Sequence, residues 1–166
     1  MQTLLAELMA IVRQEIDQYR QLLALLRRER SRIVRGELAG LIEVVRRKEA
    51  ITKDLATLEA SRLSVLARLG PEVGAEESAL SLSRLAALSP GEAGDTLRAL
   101  LTEFRGVVGL LVAANDVNRT LLGRSLEFVQ GSLEIFRTVA TGPQTYGSGG
   151  RFHEAAHPLV ALNQTA

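Results

Sequence analysis

The sequence predicts an all-α protein in which a long antiparallel helical hairpin packs with a third long helix in an elongated, coiled-coil-like bundle. Three observations predict it. Leu, Ala, Glu and Arg dominate the 166 residues, while Trp is absent and Phe and Tyr number only four and two, a balance that favours long helices over sheets. Apolar residues recur at three- and four-residue steps over two stretches of near-equal length, as in helices that pair along their length. Those stretches end at Gly36 and at Gly70-Pro71, residue types that stop helices.

The first helix runs from Thr3 to Val34, with a seam of Met9, Val12, Ile16, Tyr19, Leu23, Leu26 and Ile33 in which Arg30 is the one polar member. At 1.5 Å per residue it is about 48 Å long. Gly36 supplies a left-handed cap, and Glu37 places a carboxylate in the first turn of the next helix. The second seam passes through Leu38, Leu41, Val45, Ile51, Leu55, Leu58, Val65 and Leu69. Two helices of similar length joined by so short a connection run antiparallel, giving a hairpin over residues 3–69. Residues 71–90 form a connector with a weaker pattern, Leu80, Leu82, Leu85 and Leu88 among Ser and Ala, read as a short helix or a loose link. Ser89-Pro90-Gly91-Glu92 then signals the start of a third long helix over 91–140. Its glycines, Gly106, Gly109, Gly123 and Gly131, mean either close packing through them or an intrinsically adjustable helix. Residues 141–166, rich in Gly, Ser, Thr and Ala without a sustained period, read as a flexible tail. At this length and with 46% hydrophobic residues, residues 1–140 are expected to form one helical domain.

The third helix is the part with surface to spare. Leu122, Leu126, Val129, Leu133 and Phe136 fall on one line of it, and Val117, Leu121, Phe128, Ile135 and Val139 on a second line roughly 110° away. The apolar arc spans roughly half the circumference, more than one neighbouring helix needs. One stripe can pack on the hairpin while the other meets a partner; alternatively both are buried within the bundle, or the second is covered by another copy of the chain.

The formal net charge of +1 provides no overall field toward nucleic acid or an anionic membrane. Charge is nonetheless uneven: Arg27 to Lys48 carries eight basic and three acidic residues, a net of +5, which leaves −4 for the rest. This places a basic cluster at the hairpin tip, either a docking site for an acidic partner or an ordinary solvated face; it lacks the aromatic residues that stack on bases. With no Cys there is no disulfide framework, thiolate metal site or thiol nucleophile. The N-terminal stretch, broken by Glu7 and Arg13, reads as neither a signal peptide nor a membrane span, so a cytoplasmic protein is expected. His153-Glu154-Ala155-Ala156-His157 matches the H-E-x-x-H spacing of zinc sites, but Pro158 follows at once and there is no third His for a further ligand. No Ser, His and Asp grouping and no phosphate-binding loop is readable, so neither enzyme activity nor a cofactor or metal is expected.

Four stretches carry a resemblance to a known family: Tyr19 with LLALLRRERSRIVRGEL (22–38); LIEVVRRKEAI (41–51); Asn115 and Asn118 leading into Leu121-Leu122 and Ser125-Leu126-Glu127-Phe128-Val129; and Thr145-Tyr146-Gly147. In order and spacing they resemble the FlgN family of flagellar type III export chaperones over nearly residues 4–150. The resemblance implies a cytoplasmic chaperone that binds the C-terminal helices of the hook-associated (hook-filament junction) proteins, keeps them unassembled and delivers them to the export gate in the membrane. Carried over by position, it implies a partner-binding surface of Val117, Leu121, Leu122, Leu126, Phe128, Val129, Leu133 and Phe136, with Tyr146 docking on the gate. No nucleic-acid partner and no insertion into the membrane are expected from the charge and the hydropathy pattern. The portion Phe152 to Val160 matches nothing in the family's pattern. A self-associating coiled-coil scaffold, or a chaperone of another secretion substrate, are the alternatives; weak self-association of the free chaperone is compatible with the main reading.

Overall fold

The computed structural model describes residues 1–73 and 80–141, with side chains as far as Thr138. Four helices, α1 (Gln2–Arg35), α2 (Leu38–Leu69), α3 (Leu82–Leu88) and α4 (Gly91–Thr141), and a single 3-10 turn, Pro71–Val73, account for nearly all of the described residues, among which there is no strand. The expected all-α fold with two long hairpin helices, a short connector helix and a third long helix is the fold found. The chain divides into two compact units, Met1–Ser125 and Leu126–Ala166.

In the first unit α1 and α2 form the hairpin. Gly36 closes α1 with φ 67° and ψ 23°, a left-handed conformation that costs a glycine little because it has no Cβ. The Glu37 backbone N–H donates back to Arg32 O at 3.0 Å, sealing the end of α1. Glu37 is the residue before the first turn of α2 rather than part of it, and its carboxylate pairs with Arg32 and Arg35 of α1. Two ion pairs fix the hairpin register, Glu15 with Arg62 at 3.0 Å and Glu29 with Lys48 at 2.9 Å; in both, the residue numbers add to 77. The same register sets Leu8 level with Leu69, Val12 with Val65, Leu22 with Leu55 and Ile33 with Val44, and every one of these side chains is buried.

That register corrects three members of the expected seams. Leu38 and Val45 are exposed, and Val44 takes the inward position. Arg30 is exposed, and the polar member of the α1 seam is Glu29, one residue earlier. An Arg at a seam position would leave a guanidinium to be desolvated, whereas Glu29 finds a cation on α2.

The main apolar core lies at the open end of the hairpin. Leu5, Leu8, Val12 and Ile16 of α1, Val65, Leu66 and Leu69 of α2, Leu82, Leu85 and Ala86 of α3 and Leu97, Leu100 and Leu101 of α4 form one buried cluster, with Leu80. The connector thus contributes to the core, although Leu88 of the same pattern is exposed. Ser81 caps α3 by accepting from the Arg84 backbone N–H, and Arg98 of α4 donates to Ala86 O at 2.8 Å. The start of α4 falls at Gly91, after Pro90, and Gly94 lies so close to Ser89 O that a Cβ there would collide with the backbone. Tyr19 meets Phe104 edge to face with ring centroids 5.5 Å apart, and Arg20 pairs with Glu103.

Candidate functional site

α4 changes character along its length. Leu97, Leu100, Leu101 and Val107 are buried against the other helices of the first unit. From Val108 to Ser125 the apolar side chains are at most half-buried: Val108, Leu111, Ala114 and Leu121 lie partly covered, while Leu110, Val112, Val117 and Leu122 are exposed. In the second unit Leu126, Val129, Leu133 and Ile135 are exposed, and Phe128 and Phe136 keep 76% and 71% of their surface open. Scattered surface leucines are ordinary, but α4 leaves two phenylalanines and many aliphatic side chains exposed.

Of the expected partner-binding residues, Val117, Leu122, Leu126, Phe128, Val129, Leu133 and Phe136 are exposed and Leu121 is half-buried. Ile135, Leu110 and Val112 are exposed as well and were not in that set; the place of Ile135 and Leu110 in the apolar arc of α4 was the available signal, whereas Val112 falls in its polar sector. Tyr146 and the His153–His157 pattern lie outside the described residues.

One polar arrangement lies inside the first unit. The Asn118 side chain, 3% exposed, donates from Nδ2 to Leu26 O at 2.7 Å and to Glu29 Oε2 at 2.8 Å. Glu29, 4% exposed, also accepts from Lys48 Nζ at 2.9 Å through both carboxylate oxygens. At the hairpin tip Glu37 and Glu43 are paired with arginines, while Arg27, Arg28, Arg30 and Arg46 make no ion pair among the described residues.

No metal-binding group of three His, Cys, Asp or Glu occurs among the described residues. An open groove of about 360 Å³ between α2, α3 and α4 is lined by Leu66, Leu82, Leu101 and Phe104 with Arg62, Arg105 and two serines, a set without a base to activate a hydroxyl. No helix among the described residues is long and apolar enough to cross a membrane.

A helical protein whose unburied apolar surface is concentrated on one helix is equipped to bind another polypeptide. The chain belongs to the FlgN family: a family model described as FlgN protein matches residues 1–154. FlgN proteins are flagellar export chaperones and bind flagellar substrate proteins. The match includes Tyr146 and stops before His157. No curated protein and no solved structure matches the chain.

Proposed function

We propose that this chaperone works in the cytoplasm and binds the C-terminal helical segments of hook-associated proteins, holding them unassembled and delivering them to the export gate. The observation that carries the reading is the exposure of Phe128 and Phe136 together with Leu126, Val129 and Leu133 on α4. An amphipathic client helix laid on these residues removes apolar surface from water at about 25 cal/mol per Å². Val117, Leu121 and Leu122, in the first unit, are proposed as client contacts as well. The client's own assembly face is occupied while it is bound, and release needs only competition for that face, with no nucleotide chemistry. Tyr146 is assigned to a second, weaker contact with the gate, which recruits the loaded chaperone through added avidity.

Calorimetric titration with a peptide of the C-terminal helix of a hook-filament junction protein tests this. Phe128→Ser and Phe136→Ser are each expected to weaken binding by about 2 kcal/mol, as for buried aromatic anchors, with helix content unchanged. Tyr146→Ala is expected to leave client affinity intact and to weaken capture by the cytosolic part of the gate. Absence of binding by the unmodified chain, together with a tight dimer in light scattering, sinks the proposal in favour of a self-associating scaffold.

A further inference from the structure

We infer that Asn118 is a positioning residue for the client site, because its amide sets the register of α4 on the hairpin and so decides which α4 side chains remain available to a partner. The inference rests on the client reading above. Apolar packing alone specifies this register poorly. From Val108 to Ser125 the sequence offers adjacent pairs, Leu110-Leu111 and Leu121-Leu122, so α4 turned by one residue or slid by a turn covers similar apolar surface. In the same stretch Asn118 is the single fully buried side chain, and Gly109 and Gly123 have nothing within 4 Å of where a Cβ would stand.

The amide supplies what the leucines lack. Its two N–H groups are both engaged, on Leu26 O and Glu29 Oε2, and both bonds form in one position only. A slide of α4 by one turn, about 5.4 Å, brings Ala114 or Leu122 to the buried Glu29 carboxylate, and neither can donate to it. Lys48 already occupies Glu29 from α2, so one carboxylate ties α1, α2 and α4 together. A buried polar side chain in a helical seam characteristically selects register at some cost in stability. In the selected register Val117 and Leu122 are exposed and Leu121 stays half-covered.

The chain contains no cysteine, so engineered pairs, one on α1 between residues 22 and 33 and one on α4 between residues 111 and 122, report register directly by disulfide formation in the full-length protein. The unmodified background is expected to cross-link in one register. Asn118→Leu, which retains bulk, is expected to spread cross-links to pairs displaced by three or four residues and to weaken binding of the junction-protein peptide by about tenfold or more, the equivalent of about 1.4 kcal/mol. Helix content should stay unchanged. Native-register cross-linking in Asn118→Leu overturns the inference; if that variant fails to fold, the same scan on Asn118→Ala decides it by the same criterion. If the unmodified protein binds no junction-protein peptide, the client reading falls, and the cross-linking scan still settles the role of Asn118 in register.

Discussion

Glu15 and Glu29 occupy equivalent positions two heptads apart on α1, and both are buried, yet they are served differently. Each faces a cation of α2 in the same hairpin register, Arg62 for Glu15 and Lys48 for Glu29. Lys48 reaches both oxygens of Glu29 whereas Arg62 reaches one of Glu15, and the third long helix adds a further donor only at Glu29. At Glu29, α4 contributes Asn118, and both carboxylate oxygens are bonded. At Glu15, Oε1 accepts from Arg62 Nε at 3.0 Å, while the buried Oε2 has no hydrogen-bond partner among the described residues. Burial accordingly pushes the Glu15 carboxyl above its ordinary value, with the Arg62 hydrogen bond and charge opposing that push. Two heptad-equivalent acids thus do different work: the served one joins three helices, and the underserved one is a point of stored cost inside the hairpin.

Deleting each cation separates the two acids most strongly. Arg62→Met leaves Glu15 buried with no compensating charge and is expected to cost about 3–5 kcal/mol in urea unfolding at neutral pH. Lys48→Met leaves Glu29 still accepting from Asn118, so a smaller loss of about 1–3 kcal/mol is expected. Equal losses would mean that α4 contributes nothing to the Glu29 layer. A second test replaces the whole pair. Glu15→Leu with Arg62→Leu is expected to stabilise by about 1–4 kcal/mol, since an apolar pair needs no desolvation of charge. Glu29→Leu with Lys48→Leu gains less, because Asn118 then loses an acceptor.

Titration sharpens the same contrast. With its folded-state pKa above the ordinary 4.5, Glu15 favours the folded state when protonated. That contribution is fully present below pH 4.5 and is lost as pH rises through the folded-state value. Glu15→Gln does not titrate in this window, so its stability relative to the unmodified protein should rise as pH increases from below 4.5. Chemical unfolding at a series of pH values checks this, and a pH-independent difference between the two would remove the claimed cost of ionising Glu15.

How much of this was legible in the sequence depends on which helix holds the partner. The hairpin, its Gly36 corner and the long third helix follow from spacing and punctuation within single segments. The apolar arc of α4 was equally visible, and so was its excess over one neighbour. The polar layers were not. Glu29 and Arg30 both fit a three- and four-residue step between Leu26 and Ile33, and the decision between them rests on Lys48 and Asn118, which are 19 and 89 residues away. Leu38 and Val45 fit the α2 seam just as well as Val44, until the register set by Glu15–Arg62 and Glu29–Lys48 turns them outward. A periodicity defines a stripe, while a register is a relation between two stripes.

The glycines of α4 provide the smallest test. The sequence allowed either close packing through them or an intrinsically adjustable helix. A Cβ built at Gly106, Gly109, Gly123 or Gly131 meets nothing within 4 Å, so close packing is not their reason in the described structure. Glycine then only loosens the helix, since its unfolded state has more backbone freedom to lose. Gly106→Ala, in the first unit, is expected to stabilise by about 0.5–1 kcal/mol and to raise the unfolding temperature by a few degrees. Gly123→Ala should gain similarly, but it adjoins Leu122 on the proposed client surface, so its effect on junction-protein peptide affinity separates a softened helix from a site that needs close backbone approach. A gain in stability with unchanged affinity assigns the glycines to adjustability; a gain accompanied by weakened binding assigns Gly123 to contact with the client.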